Sequence, residues 1–218
     1  VRAIIFANGL IPEGSIERHP LIADDMLIAA DGGARACINL NRPPDVVIGD
    51  FDSIADDERE WLRRADVQFV RHPARKDFTD LELAIRHAVE AGASEILVFG
   101  ALGARWDQSL ANTLLLGLSE WAGTRLWLLH GQQELTAIRG GERLTLHGMP
   151  GDTVSLLPIA GEARGVATDG LEYPLHGETL YFGATRGVSN SMLDEQATVS
   201  LMEGQLIVVI IHGEAREE

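Results

Sequence analysis

The first part of the chain alternates short apolar-rich runs with stretches of helical periodicity. The runs are Ala3–Ala7, Met26–Ala30, Val46–Ile48, Val67–Val70, Ile96–Phe99 and Leu126–Leu129. Each is short enough for a strand and apolar enough to be buried in a sheet. Between the fourth and fifth runs, Leu81, Ala84, Ile85, Ala88 and Val89 recur at helical spacing over Asp80–Ala91. Thr79 and Glu82 stand three apart as a capping box, and Gly92 is a stop. Ser53 with Asp56 predicts a helix through Leu62, and Asp107 opens another through Leu118. A β-α-β order implies a parallel sheet with helices on both faces.

After about Gly131 the texture changes. Gly-rich turns separate the β-rich runs Leu144–Leu146, Thr153–Leu157, Thr179–Phe182, Ala197–Leu201 and Leu206–Ile211, a pattern that predicts a small antiparallel sandwich. Gly140-Gly141 and Met149-Pro150-Gly151-Asp152 read as hairpin turns. The expected fold class is therefore α/β, with an N-terminal parallel-sheet α/β domain at residues 1–131 followed by a C-terminal antiparallel β-sandwich at 132–218. Neither an internal repeat nor a low-complexity tract interrupts it.

Composition narrows the function. With 218 residues and 45% hydrophobic content the chain can bury a real core. Acids outnumber Lys plus Arg by 33 to 18, giving a net charge of −15, which argues against a nucleic-acid or anionic-membrane surface. A polyanionic ligand must then arrive with metal. Cys37 is the only cysteine, so an internal disulfide and a cysteine-based zinc site are excluded, and it reads as an inert helix residue in a reducing compartment. Ala3–Ala7 is too short for a signal core, and no run approaches the roughly 18 apolar residues of a membrane span. The expected location is the cytoplasm.

Candidate chemistry sits just after the predicted strands. Asp31 follows the second, Asp50 and Asp52 follow the third, and Asp77 and Asp80 precede the Asp80–Ala91 helix. Ligands of open α/β sheets bind at the carboxyl ends of the strands, so these clusters can converge, and so many carboxylates suggest a hard cation with phosphates. Asp50 and Asp52, two apart, present both carboxylates to one cation provided the backbone stays extended past Gly49. Taken alone, an acidic turn capping the next helix explains Asp-Phe-Asp-Ser equally well. Asp77 and Asp80 can likewise serve as N-terminal helix charge. Lys76 is the only lysine among 18 basic residues, as expected where a compact ammonium is needed rather than a planar fork. Asn8-Gly9, Gly32-Gly33 and Gly100 through Gly103 offer close backbone approach at the same edge, with Arg105 and Asp107 suited to phosphate or sugar. The seven histidines show no metal-ligand spacing. Walker, dinucleotide-binding and nucleophile-elbow motifs are absent.

In combination these residues resemble the thiamin pyrophosphokinase family. The match runs through Ala30-Asp31-Gly32-Gly33-Ala34, Pro44-Asp45, Ile48-Gly49-Asp50-Phe51-Asp52-Ser53-Ile54, Lys76-Asp77-Phe78-Thr79-Asp80, Gly103-Ala104-Arg105-Trp106-Asp107-Gln108 and Gly187-Val188-Ser189-Asn190. The resemblance implies an α/β domain followed by a β-sandwich, a homodimer with two composite sites, and transfer of the diphosphate of Mg-ATP to the hydroxyethyl group of thiamin with release of AMP. It also implies Mg²⁺ on Asp50, Asp52 and Asp80. Nucleotide would lie around Asn8, Gly9, Asp31, Gly32, Gly33, Gly103, Arg105 and Asp107, and the thiamin pocket would include Ser189 and Asn190. Two positions depart from the family pattern. Arg35 stands where Asn is common, and no tryptophan follows Ser189-Asn190 as in animal members, which leaves Met192 as the nearest apolar candidate for the thiamin rings.

Such a transfer needs an in-line approach and charge compensation more than covalent help. Lys76 and Arg105 would add positive charge to that of the metal. Asp77 or Asp80 would accept or orient the alcohol proton. Other readings remain: an Asp-x-Asp phosphatase with Asp50 as nucleophile, a pyrophosphokinase for another alcohol such as a hydroxymethylpterin, or a non-catalytic nucleotide sensor. The phosphatase signature belongs on a first strand, whereas here it follows the third.

Overall fold

The computed structural model describes residues 1–73 and 77–213. It divides into two compact units, Val1–Gly131 and a second beginning at Gln132. In the first, six strands carry the predicted apolar runs: β1 (Arg2–Phe6), β2 (Met26–Ala30), β3 (Val46–Gly49), β4 (Gln68–Arg71), β5 (Glu95–Phe99) and β6 (Arg125–His130). They lie in the order β4-β3-β2-β1-β5-β6, and all adjacent pairs are parallel. The helices are α1 (Ser15–Arg18), α2 (Ala34–Asn39), α3 (Asp56–Arg64), α4 (Asp80–Glu90) and α5 (Trp106–Leu115).

Parallel register lines up one core row across the sheet, Phe69, Val47, Ala29, Phe6, Phe99 and Leu129. The Phe6 and Phe99 rings stack with centroids 5.6 Å apart. Ala34 and Cys37 of α2 and Leu62 of α3 close over this face. Successive strand residues point to opposite faces. The other set, including Ile5, Ile28 and Val98, is also fully buried. There α4, which packs on β1, β2 and β3, supplies Leu81, Ala84, Ile85 and Ala88. Burial on both faces explains why β1, β2, β3 and β5 read as apolar runs rather than alternations, while β4 at the sheet's end is only half-buried.

Helix starts differ in detail from the sequence expectation. Ser53 does not open α3; its hydroxyl donates to Asp52 at 3.1 Å. The entry is Ala55, whose N–H donates to Glu58 at 3.0 Å. Thr79 does cap α4, accepting from the Glu82 N–H at 3.2 Å, but the Glu82 carboxylate takes Arg86 at 2.8 Å, so this capping is one-sided. The last helix ends at Leu115, short of Leu118.

The second unit contains β7 (Gln133–Arg139), β8 (Arg143–His147), β9 (Thr153–Asp169), β10 (His176–Leu180), β11 (Asn190–Ser191), β12 (Gln196–Ser200) and β13 (Glu203–Ile211). Its strands pair antiparallel: β13 lies between β7 and the first half of β9, while the second half of β9 pairs with β10 and β12, and β12 with β8. At Ala160-Gly161 φ reaches 58° and 122°, and the bend there lets one strand serve both sheets of the sandwich. Gly140-Gly141 and Met149–Asp152 are not hairpin turns, because β7 pairs with β13 and β8 with β12; each carries the chain from one sheet to the other. The sequence reading missed β7, whose buried Glu134 and Thr136 break any apolar run. Tyr181 and Phe182, expected inside a strand, lie past the end of β10 and are exposed.

One ion pair pins the start of β1. Arg2 Nε and Nη2 donate to Asp25 at 2.7 and 2.8 Å, and the Asp25 side chain is fully buried. Burial pushes the Asp25 carboxyl up, but Arg2 and the Ile22 N–H outweigh it and hold it below its ordinary value. Since the folded state binds the proton less readily, this stabilisation is present at neutral pH and is lost as pH falls toward the depressed value. Arg2→Ala should cost about 3 kcal/mol, because it leaves a buried carboxylate uncompensated. Urea unfolding should show the full difference at pH 7 and a shrinking one below about pH 4, where the unfolded carboxyl protonates.

Candidate active site

The strand order reverses direction between β1 and β5, so their carboxyl ends diverge into a crevice, the usual ligand position in an open α/β sheet. Bonds from Ala7 N to Phe99 O (2.8 Å) and from Gly9 N to Gly100 O (3.0 Å) carry the β1–β5 pairing just past the strands. Beyond them opens a cleft of about 610 Å³, lined among others by Asn8, Gly9, Asp31, Asp80, Gly103 and Arg105.

Beside the cleft, Asp31, Asp50 and Asp52 each offer a carboxylate oxygen within 4.8 Å of the others. Asp31 is buried in a 3-10 turn (Asp31–Gly33) with φ of 47°. Its Oδ1 is buried without a hydrogen-bond partner, an expensive state for a carboxylate unless a cation completes it. Gly33 permits the turn, since a Cβ there would fall 1.9 Å from the Phe6 carbonyl oxygen. Gly49 makes room likewise: a Cβ on it would stand 3.0 Å from Asp31 Cβ and 3.1 Å from Asp80 Oδ1. Asp80 thus flanks the cluster from the first turn of α4.

Asp50 and Asp52 meet by a different route from the one expected. The backbone does not stay extended past Gly49, because Phe51 adopts φ of 69°. The pair is folded together by a turn in which the Asp52 N–H donates to Asp50 Oδ1 at 3.1 Å. Phe51 offsets its strain by packing edge-on against Phe69, centroids 5.3 Å apart, in the core below.

Asp77 is exposed and does not line the cleft, whereas Asp80 does. Lys76 lies outside the described residues. Arg105 and Asp107 fork onto each other at 2.9 and 2.6 Å, and Arg105 holds the Asp107 carboxyl at about 2. Gly103 is pinned by Ser109, whose hydroxyl receives its N–H (3.0 Å) and donates to its carbonyl (3.1 Å). Gly32 and Gly33 line a neighbouring recess of about 450 Å³, with Arg35, which pairs with Glu58 at 2.7 Å. Cys37 is buried, which pushes its thiol up to about 12 and fits an inert residue.

In the second unit Ser189 is exposed with φ of 61°. Asn190 is buried and structural: its Oδ1 accepts from the Tyr173 and Ser191 N–H groups (3.0 and 2.9 Å), and its Nδ2 donates to the Tyr173 carbonyl (2.8 Å). Met192, expected to face a ligand, is 1% exposed and belongs to the core. The sequence reading expected Asp31 to converge with Asp50 and Asp52 but placed it with the nucleotide rather than among the metal ligands, and it did not single out Ser109 and Asn112 of α5, which line the cleft. The three-residue spacing of Ser109 and Asn112 puts both on one helix face, a signal that was available.

Comparison with known proteins agrees with this architecture. Residues 19–127 match the family model described as thiamin pyrophosphokinase, catalytic domain, and residues 142–206 match thiamin pyrophosphokinase, vitamin B1 binding domain. The thiamine pyrophosphokinase of Bacillus subtilis is 29% identical over 204 residues, 93% of each chain. Thiamine pyrophosphokinase 1 of Arabidopsis thaliana is 30% identical over 72% of this chain and 61% of its own length. The crystal structure of the Bacillus subtilis protein superposes with a TM-score of 0.87 at 26% identity, covering 97% of this chain and 99% of that one. Two family models in chain order, similarity along nearly the whole length and a carboxylate cluster beside the switch-point cleft together assign this chain to the thiamin pyrophosphokinase family.

Proposed function

We propose that this protein transfers the β,γ-diphosphate of ATP to the hydroxyethyl oxygen of thiamin, giving thiamin diphosphate and AMP. Family membership supports the reaction, and the observation that carries the site is the unpartnered, buried Asp31 oxygen beside Asp50 and Asp52. These three residues, with Asp80 beside them, would hold Mg²⁺, which suits an all-oxygen donor set and supplies charge compensation on the phosphate oxygens.

The remaining residues then have separate tasks. Nucleotide would lie along the cleft lined by Asn8 and Gly9 and the neighbouring recess lined by Gly32 and Gly33. Arg105 faces the cleft and would meet phosphate, with Asp107 holding its fork in place. Asp80, which lines the cleft, is better suited than Asp77 to orient the proton of the attacking alcohol. Lys76 would add a second positive charge. Ser189 is the acceptor-side candidate. Asn190 would act through the backbone of Tyr173 rather than by touching thiamin. Exposed Tyr173, Tyr181, Phe182, Val188 and Leu193 suit a second copy of the chain. The active form would then be a homodimer in which the Ser189 segment of one copy serves the aspartate cluster of the other. Among the described residues no helix is long and apolar enough to cross a membrane, and a lone buried cysteine fits a cytoplasmic setting.

Incubation with Mg-ATP and thiamin tests the reaction: AMP and thiamin diphosphate are expected in equal amounts. Phosphate alone would indicate a phosphatase, and no turnover a binding protein. Asp50→Asn and Asp52→Asn should keep the fold while lowering turnover on the order of 10²–10³, the usual loss for one preorganised charge contact. Activity within about threefold of wild type would remove them from the metal site. For assembly, Asp52→Asn and Ser189→Ala chains are mixed and assayed at a thiamin concentration where each alone is impaired. A composite site predicts partial recovery, because one of the two sites in the heterodimer then carries neither lesion. Verified chain exchange without recovery would confine each site to one chain.

A further inference from the structure

The segment Gly187–Met192 has little regular structure of its own and is laid along residues 151–156 as on a rail. Leu156 N donates to Gly187 O (2.8 Å), and Ser189 N to Ser155 Oγ (3.0 Å). Asn190 and Ser191 pair with Val154 and Thr153. Met192 N donates to Asp152 O, and Gly151 N to Met192 O, both at 2.8 Å. Ser189 sits in the left-handed region, so these outside bonds, rather than local preference, set its orientation.

The rail ends at a built cluster. The Asp152 carboxylate accepts from the N–H groups of Met149 and Gly213, each at 2.9 Å, which closes the turn that meets Met192. Its Oδ2 also lies 2.8 Å from His212 Nδ1, and His212 Nε2 lies 2.9 Å from Glu134 Oε1. All three side chains are buried, and they come from the end of β13, the start of β7 and the turn before β9. A neutral imidazole has a single N–H. Carboxylate oxygens at both ring nitrogens therefore require a proton on each bridge, and the ring ties Glu134 to Asp152 through both.

We propose that His212 is a positioning residue for the acceptor segment: by bridging Glu134 and Asp152 it fixes the Met149–Asp152 turn, and through Met192 it sets where Ser189 stands. This rests on the reading that the Ser189 segment meets thiamin. His212 itself touches no substrate in this scheme, so its loss should appear in acceptor binding and not in the chemical step.

Steady-state kinetics of the whole protein with Mg-ATP and thiamin test it, using His212→Ala, His212→Gln, Glu134→Gln and Ser189→Ala, with folding checked by circular dichroism. His212→Ala should raise the KM for thiamin about tenfold, while kcat and the KM for ATP stay within about twofold, the pattern of lost uniform binding to one substrate. Gln keeps a donor toward one carboxylate, so His212→Gln should restore part of the thiamin affinity. A general folding role would instead lower kcat in proportion to folded protein and leave both KM values alone, which would overturn the proposal. If His212→Ala does not fold, Glu134→Gln carries the same test, with a smaller rise in thiamin KM expected and an unchanged KM counting against the proposal. A Ser189→Ala effect on thiamin KM without a His212 effect overturns the positioning role alone. No effect from either residue overturns the acceptor reading, and the positioning role with it.

Discussion

Three carboxylates held within 4.8 Å of one another repel, and the parallel sheet is what keeps them together. In such a sheet all carboxyl ends share one edge, so residues far apart in sequence are delivered to one line by strand pairing alone. Asp31 follows β2, Asp50 and Asp52 follow β3, and Asp80 stands in the first turn of the crossover helix α4, which starts from the same edge. The core row beneath, from Phe69 to Leu129, fixes the register that makes this convergence repeatable. Local strain at Asp31 and Phe51 is held by that core, as the Phe51–Phe69 contact shows directly.

The sandwich unit solves a different problem. Its acceptor-side candidate, Ser189, stands on a segment that lacks a long strand and so borrows order from β9. Asn190 spends its side chain on the Tyr173 backbone, and Met192 on the core. Of the residues read as touching thiamin, Asn190 and Met192 are thus scaffold in three dimensions and Ser189 is exposed. The same division appears at Gly103, where Ser109 holds the loop and leaves Arg105 facing the cleft.

How much was legible depends on how local the cause is. Strands β1, β2, β3 and β5, buried on both faces, announce themselves as apolar runs, and the half-buried Phe69 and Val70 of β4 and the partly buried β6 still leave short apolar runs, so the six strands and their parallel order could be read directly. The β7 strand could not, because Glu134 and Thr136 are buried polar residues, Glu134 satisfied across the fold by His212, and periodicity does not encode such a partner. The two interior turns of the sandwich were misread as hairpins because turn chemistry specifies a reversal and not which sheet the chain enters next. At the site, the Asp50–Asp52 pair was visible, but its geometry was not, since it depends on the left-handed Phe51 and on Phe69, eighteen residues away in sequence. That Asp31 converges on this pair could be expected from the shared strand ends, but its place within 4.8 Å of both rests on the β2–β3 pairing and the turn after β2, which spacing does not give.

The central claim, that the sheet edge holds a preorganised cation site completed by Asp31, is tested most directly by thermal unfolding during Mg²⁺ titration, with wild type beside Asp31→Asn. Binding at a hundredfold excess over Kd stabilises a folded protein by about 2.7 kcal/mol, so the wild-type midpoint should rise by several degrees. Asp31→Asn relieves the repulsion and should start from an equal or higher midpoint without metal, then rise little. Equal Mg²⁺-dependent rises in the two proteins, or no rise in wild type, would contradict the account.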